Sequence, residues 1–193
     1  MPKFTEQEKA RIEQLLLTEG ERLFIAYGLK KVTIDDIVKA VNIAKASFYK
    51  FYEGKEYLFL DIVQREQKEI VQILEEALEE SMEQKDCERA KNAFAMMFVL
   101  LRKYPLLQVI NGETIELIRR KVSPERLSEF QMQGFDAVNA MVKKGITFKY
   151  DIQIVSQLFR VLYQSWVSLQ GQSSETQKQI IDILLDGVVQ QIV

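Results

Sequence analysis

Apolar residues recur at helical spacing through almost the whole of this chain. Between residues 5 and 27, Ile12, Leu15, Leu16, Leu23 and Phe24 share one stripe with Glu and Arg opposite, which predicts an amphipathic helix. Thr5 precedes Glu8 at capping-box spacing, and Gly28 stands where a left-handed stop is wanted. Gly20, inside this helix, costs roughly 1 kcal/mol relative to Ala and has no local reason. A second helix is predicted over 34–40, capped by Thr33 with Asp36 returning the bond, and with Ile34, Ile37, Val38 and Val41 facing inward. Asn42 then falls in a turn of about three residues, where a left-handed residue is needed, and a short third helix is predicted over 44–52.

Glu53-Gly54 breaks the pattern, and a long fourth helix opens at Lys55 and runs to about residue 82 with a strongly acidic exposed face. Further helices are predicted at 87–103, 106–110, 113–122, 124–144, 152–169 and 175–192, about nine in all. Their ends are legible. Tyr104-Pro105 closes one, Ser123-Pro124 caps and starts another, Gly145 ends it, Asp151 caps the next and Gly171 terminates that one. Nothing alternates as a strand would, and no repeat or low-complexity tract is present. The expected fold class is all-α.

The last two helices carry more apolar surface than one core face needs. One stripe of 152–169 holds Ile152, Val155, Phe159, Leu162, Trp166 and Leu169; a second holds Ile154, Leu158, Val161 and Val167. The final helix is apolar at Ile180, Ile181, Ile183, Leu184, Leu185, Val188, Val189 and Ile192. A helix apolar nearly all round is buried on both sides, which predicts a homodimer clasped through these two helices about a two-fold axis.

Composition narrows the chemistry. The chain is 193 residues long, 47% apolar, and has only eight Gly and three Pro, too few for a turn-rich β fold. Histidine is absent, so Ser-His-Asp and Cys-His nucleophile systems and histidine-ligated metal sites are excluded. Cys87 is the single cysteine, which rules out an intramolecular disulfide and a thiolate metal site within one chain. Gly54-Lys55 lacks the upstream glycine of a P-loop, and no Rossmann glycine pattern occurs. The chain therefore reads as a non-enzyme with no metal and no cofactor. No leader is evident, and the longest apolar run, residues 94–101, is far short of a bilayer span, so the expectation is a soluble, cytoplasmic protein with no membrane partner.

Net charge is −2, but its distribution is uneven. Residues 30–55 carry six lysines (30, 31, 39, 45, 50 and 55) against Asp35, Asp36 and Glu53. Residues 61–193 carry sixteen basic and nineteen acidic side chains. A small basic patch on an acidic body suits a protein that meets a polyanion at one end. A DNA-packaging protein would need a larger basic excess.

Two short helices joined by a tight turn behind a longer helix describe a helix-turn-helix. On its second helix Ile43, Phe48 and Tyr52 read as core, while Lys45, Ala46, Ser47 and Tyr49 cluster on the other face. Small residues there let the backbone approach a groove floor, and Lys, Ser and Tyr can bond base edges or phosphates. Lys50 and Lys55 flank this surface as phosphate neutralisers. Asp35 could accept from a cytosine amine, though a carboxylate at a helix start also favours the helix dipole.

The stretch from Thr33 through Phe48-Tyr49-Lys50-Phe51-Tyr52-Glu53-Gly54-Lys55 to Phe59 resembles the signature of the TetR family of bacterial repressors, closely over about residues 8–60. The remainder is similar only in length and helical layout. The resemblance implies a helix-turn-helix DNA-binding domain over 1–54 and a helical ligand-binding and dimerisation domain over 55–193. It implies that Thr33 caps its helix and touches a phosphate, that Lys45, Ala46 and Ser47 lie against base edges, that Tyr49 and Phe51 border bases or backbone, and that Lys55 holds a phosphate. Asn42 stands where the family usually has Gly, and Ala44 where Ser or Thr would cap, at a cost of about 1 kcal/mol. Ala46 and Ser47 also depart from the Gly or Thr often found there. The resemblance further implies near-palindromic operator DNA and a small-molecule effector as partners.

For that effector, a cavity is expected between the helices at 87–144 and 152–169. Phe94, Met97, Phe98, Leu101, Phe130, Phe135, Tyr163 and Trp166 would line it, with Asn111, Gln131 and Gln164 as polar anchors. Little positive charge falls among these residues, so a lipophilic or aromatic compound is favoured over a phosphorylated one. The competing reading is a helical ligand carrier that has lost DNA binding; retention of Lys45, Tyr49 and Lys55 argues against it.

Overall fold

In the computed structural model, which describes residues 4–108, 110–132, 137–169 and 171–193, the helical periodicity resolves into eleven helices and no strand among those residues. They are α1 (Glu6–Lys31), α2 (Ile34–Val41), α3 (Lys45–Phe48), α4 (Lys55–Glu80), α5 (Asp86–Lys103), α6 (Pro105–Gln108), α7 (Gly112–Lys121), α8 (Pro124–Met132), α9 (Ala137–Lys143), α10 (Ile152–Ser168) and α11 (Ser174–Ile192). The single helix expected over 124–144 is described in two pieces, α8 and α9.

The caps form where the sequence places them. Thr5 Oγ1 accepts from the Glu8 amide while the Glu8 carboxylate accepts from the Thr5 amide at 2.8 Å. Thr33 and Asp36 repeat this at α2, and the paired hydrogen bonds from Thr33 hold the Asp36 carboxyl below the usual carboxylate range. Ser123 caps α8 and Asp151 caps α10. Gly28 takes φ +78°, breaking the regular helix at the expected residue, although helical bonding resumes to Lys31. Gly145, at φ +90°, lies just beyond α9.

The described residues pack as two units, 4–66 with 105–132 in one and 67–104 with 137–193 in the other, so α4 gives its first turns to one and its remainder to the other. In the first unit α1, α2, α3 and the start of α4 bury Leu16, Phe24, Ile37, Phe48, Leu58, Phe59 and Ile62 completely. Here Gly20 finds its reason. A Cβ at that position would lie 2.9 Å from Leu58 Cδ2 and 3.2 Å from Ile62 Cδ1, so hydrogen is the side chain that lets α1 approach α4. No residue near it in sequence signals this.

The second unit is built on Leu74, Phe94, Met97, Met141, Val155, Trp166 and Leu185. Arg89 is buried in it. Its guanidinium donates to the carbonyls of Leu78 on α4 (3.2 Å) and Lys144 beyond α9 (2.6 Å), and pairs with Asp86 at 3.4 Å. A buried cation thus satisfies carbonyls near two helix C-termini, groups that have no partner within their own helices. Of the two stripes expected on the last helices, the first is inward: Val155, Phe159, Leu162 and Trp166 are buried. The second is divided, with Leu158 packed against the core and two of its members outward. Ile154 and Val161 on α10 are 50% and 57% exposed, and Ile183 on α11 is 72% exposed.

Candidate nucleic-acid interface

The turn between α2 and α3 has the geometry a helix-turn-helix needs. Asn42 sits in the left-handed region at φ 57°, ψ 48°, the single non-glycine residue with positive φ among those described. Its amide and that of Ile43 return to carbonyls at the end of α2, closing the helix. Ala44 occupies the next N-cap in extended conformation and offers no side-chain bond. The third helix is shorter than the predicted 44–52. Beyond Phe48 the amides of Lys50 and Phe51 bond three residues back, to Ser47 (3.1 Å) and Phe48 (2.9 Å), so the chain continues to Tyr52 as a tightened turn.

Phe48 and Tyr52 are buried, and burial pushes the Tyr52 hydroxyl well above the usual phenol range, with the Asp61 charge adding to it. The opposite face is open: Lys45, Ala46, Tyr49 and Lys50 are exposed and Ser47 half-buried. Tyr49 meets Phe48 edge-on at 5.7 Å, which gives an outward phenol a fixed base. Thr33 is also exposed at the start of α2. Phe51 is half-buried and packs on Phe4 at 6.4 Å, and the Lys50 ammonium stands 5.0 Å over the same Phe4 ring. Phe4, just ahead of the α1 cap, thus supports the turn that follows α3, a contact with no signal in local sequence.

Two lysines are engaged in ways the sequence does not announce. Lys45 Nζ donates to Asp35 Oδ2 at 2.9 Å, joining the first turns of α3 and α2, and this hydrogen bond raises the lysine above its ordinary pKa. Lys55 Nζ donates to three carbonyls near the end of α1: Leu29 at 2.7 Å, Lys30 at 3.2 Å and Val32 at 2.5 Å. Partial burial holds it below its ordinary pKa. An ammonium has three N–H donors. All three are used, so Lys55 is engaged with the end of α1.

The residues expected to line a ligand cavity divide between the two units. In the second, Phe94 stacks on Phe159 (5.3 Å), Phe98 meets Trp166 (6.0 Å), and Tyr163 stacks on Trp166 (5.8 Å), with Met97 fully buried in the same core. Burial raises the Tyr163 hydroxyl. Gln164 is exposed. Asn111 belongs to the first unit, where its side chain accepts from the Thr114 amide at 2.9 Å as the cap of α7. Phe135 lies outside the described residues, as do the side chains of Leu101 and Gln131.

The first unit holds a cavity of about 140 Å³ between the start of α4 and helices α7 and α8. Its walls are chiefly Phe59, Leu60, Val63, Ile118, Leu127 and Phe130, with Arg119 contributing a cation. Only Phe130 was foreseen. Beside it, Arg126 of α8 pairs with Asp61 and donates to Gln64 on α4, and the Ser123 amide donates to the Tyr57 hydroxyl at 3.0 Å. Helices α7 and α8 are therefore tied to the same α4 that begins with Lys55. Among the described residues no cluster of His, Cys, Asp or Glu could hold a metal ion, and no helix is long and apolar enough to cross a membrane.

Comparison with known proteins agrees with this geometry. Residues 16–62 match the family described as bacterial regulatory proteins, tetR family. YhgD of Bacillus subtilis (strain 168), an HTH-type transcriptional regulator, is 34% identical over 70 residues, which span 36% of this chain and 37% of that protein. The chain therefore spans little more than a third of that relative's length. An Escherichia coli (strain K12) protein described as "Probable acrEF/envCD operon repressor" is 24% identical over 86% of this chain and 81% of its own. Among solved structures, a TetR family transcription regulator from Marinobacter aquaeolei VT8 has a TM-score of 0.63 at 18% identity, covering 97% of this chain and 98% of that one, a likeness of fold.

Proposed function

We propose that this chain, a transcriptional regulator of the TetR family by its helix-turn-helix and all-helical fold, represses transcription as a homodimer on a near-palindromic operator and is released by a small lipophilic or aromatic ligand. The observation that carries the reading is the open face of α3: Lys45, Ala46, Ser47 and Tyr49 present small and hydrogen-bonding side chains outward, over a buried Phe48 and Tyr52. Thr33 and Lys50 flank it as phosphate contacts. The DNA-binding function belongs to residues 1–54, and effector binding and dimerisation to 55–193. Lys55 positions rather than contacts, by fixing the end of α1 against the start of α4.

Selection of genomic fragments by the purified protein tests this directly. Wild type is expected to enrich a near-palindromic motif, and the variant with Lys45→Ala and Tyr49→Ala to lose that enrichment. An all-helical carrier without DNA binding would enrich nothing, and enrichment indifferent to the two substitutions would defeat the assignment of the reading face.

The outward stripe of Ile154, Val161 and Ile183 supports the dimer, because a second copy supplies the burial that one chain lacks. The apolar cavity supports the ligand. Its volume matches that of sites that hold a single aromatic ring, such as an engineered cavity of about 150 Å³ that binds benzene. A ligand there bears on α4 from the α7 and α8 side, and release of DNA requires only that it favour the conformation with the recognition helices misplaced. Toluene is expected to raise the melting temperature and weaken the operator complex, and Leu127→Trp, which fills the cavity from its wall, to abolish both effects. Equal responses of wild type and Leu127→Trp to toluene would remove the ligand from this cavity.

A further inference from the structure

Asp35 is out of place on a surface that meets a polyanion. It lies in the first turn of α2, and its side chain is 70% exposed. It takes no part in the cap, which Thr33 and Asp36 complete between themselves. Its partner is Lys45, the first residue of α3, at 2.9 Å across the turn. The ammonium best placed to reach a base edge is therefore neutralised in the free protein by a carboxylate ten residues earlier.

The strength of this pair sets what it can do. Both side chains are more than half exposed, so water and salt keep the interaction weak. A lysine bonded to guanine O6 and N7 discriminates that base from the others by roughly one to two orders of magnitude in affinity. A base edge in the right place thus displaces Asp35. A lone phosphate competes on far less favourable terms, because in moving to it Lys45 leaves an uncompensated carboxylate beside the DNA backbone.

Building on the DNA-binding reading above, we propose that Asp35 is a specificity-determining residue: its carboxylate holds Lys45 in reserve, and the ammonium transfers to DNA only where a base edge offers the stronger contact. On non-cognate DNA the pair stays closed and adds no net charge to the interface. On the operator it opens, and Lys45 reads a base.

The proposal is tested by titrating the selected operator duplex and a scrambled duplex of equal length over a series of salt concentrations. Asp35→Asn, which keeps the size of the side chain and leaves the cap intact, frees Lys45 for phosphates. It is expected to bind the scrambled duplex on the order of tenfold more tightly, with a log–log salt slope steeper by about one per subunit, and to lose operator preference. The double variant Asp35→Asn with Lys45→Met is as neutral at this place as the closed pair. It is expected to match wild type on the scrambled duplex in affinity and slope, and to lose operator affinity alone. Two results would overturn the proposal: an Asp35→Asn slope equal to wild type, or a double variant weaker and shallower than wild type on the scrambled duplex. The second would mean that Lys45 already sits on phosphate in every complex. A wild-type protein that does not distinguish the two duplexes would sink the DNA-binding reading itself, a separate outcome from either.

Discussion

Replacing Val161 and Ile183 together by glutamate is expected to yield a folded monomer that has lost most of its operator affinity. Both side chains are more than half exposed on one chain, so the substitutions remove no burial from the core formed by Phe159, Leu162, Trp166 and Leu185. In a two-fold assembly each change is made twice, and the carboxylates of the two copies face a desolvated, like-charged interface. The effect on DNA binding follows from geometry. A dimer presents two recognition helices about 34 Å apart to successive half-sites, and the second contact is then intramolecular. Losing that linkage costs affinity by a factor on the order of 10²–10⁴ without touching any residue that meets DNA. Sedimentation equilibrium at micromolar protein and a titration of the operator duplex check the two halves of the statement. A variant that remains dimeric would place the interface elsewhere. A monomer that binds the operator as wild type does would show that pairing is not what holds the protein on DNA.

Lys55→Met is expected to lower stability by about 2–3 kcal/mol and operator affinity with it, while leaving the salt dependence of binding unchanged. The substitution keeps the apolar stem and deletes the ammonium, so the carbonyls of Leu29, Lys30 and Val32 lose their shared donor. Leu29 and Val32 are buried, and water does not fully replace the missing bonds. Part of the loss is offset because the ammonium no longer has to be desolvated, the same burial that lowers its pKa. The end of α1 leads through Val32 into the cap of α2, so loosening it misplaces the helix-turn-helix as a whole. Thermal melting and a salt series on the operator separate this from the role the sequence suggests. A phosphate ligand would flatten the salt slope by about one per subunit and leave the melting temperature alone.

These two expectations differ in how they could be found. The outward stripe on the last helices is a periodicity, visible as soon as Ile154, Val161 and Ile183 are placed on helical wheels. The engagement of Lys55 is not. It belongs to a motif in which a lysine opens the fourth helix and is expected to hold a phosphate, and nothing in that motif points to the carbonyls of Leu29, Lys30 and Val32. The same holds for Arg89, an unremarked basic residue in the chain that turns out to be 4% exposed and bonded near the ends of two helices. The candidate ligand residues show the limit most clearly. Phe94, Met97, Phe98 and Trp166 are buried in a core, and a cavity opens among Phe59, Leu60, Val63 and Leu127, which the sequence did not single out, because apolar composition marks what is buried but not where packing leaves a gap.

What the amino-acid sequence determined by itself is whatever neighbours within a turn or two can settle. Thr5 with Glu8 and Thr33 with Asp36 are bonds between residues three apart, Asn42 and Gly28 carry their own backbone preferences, and the helical stripes are properties of single helices. These sufficed for the all-helical class, the helix-turn-helix and the exposure of Lys45, Ala46 and Tyr49 on it. Tertiary structure decided the rest: what a side chain at Gly20 would meet, which carbonyls Lys55 serves across more than twenty residues, and that Lys45 is paired with Asp35. In each case the deciding partner is brought close only by the packing of one helix on another, and helical periodicity says which face is buried without saying against what.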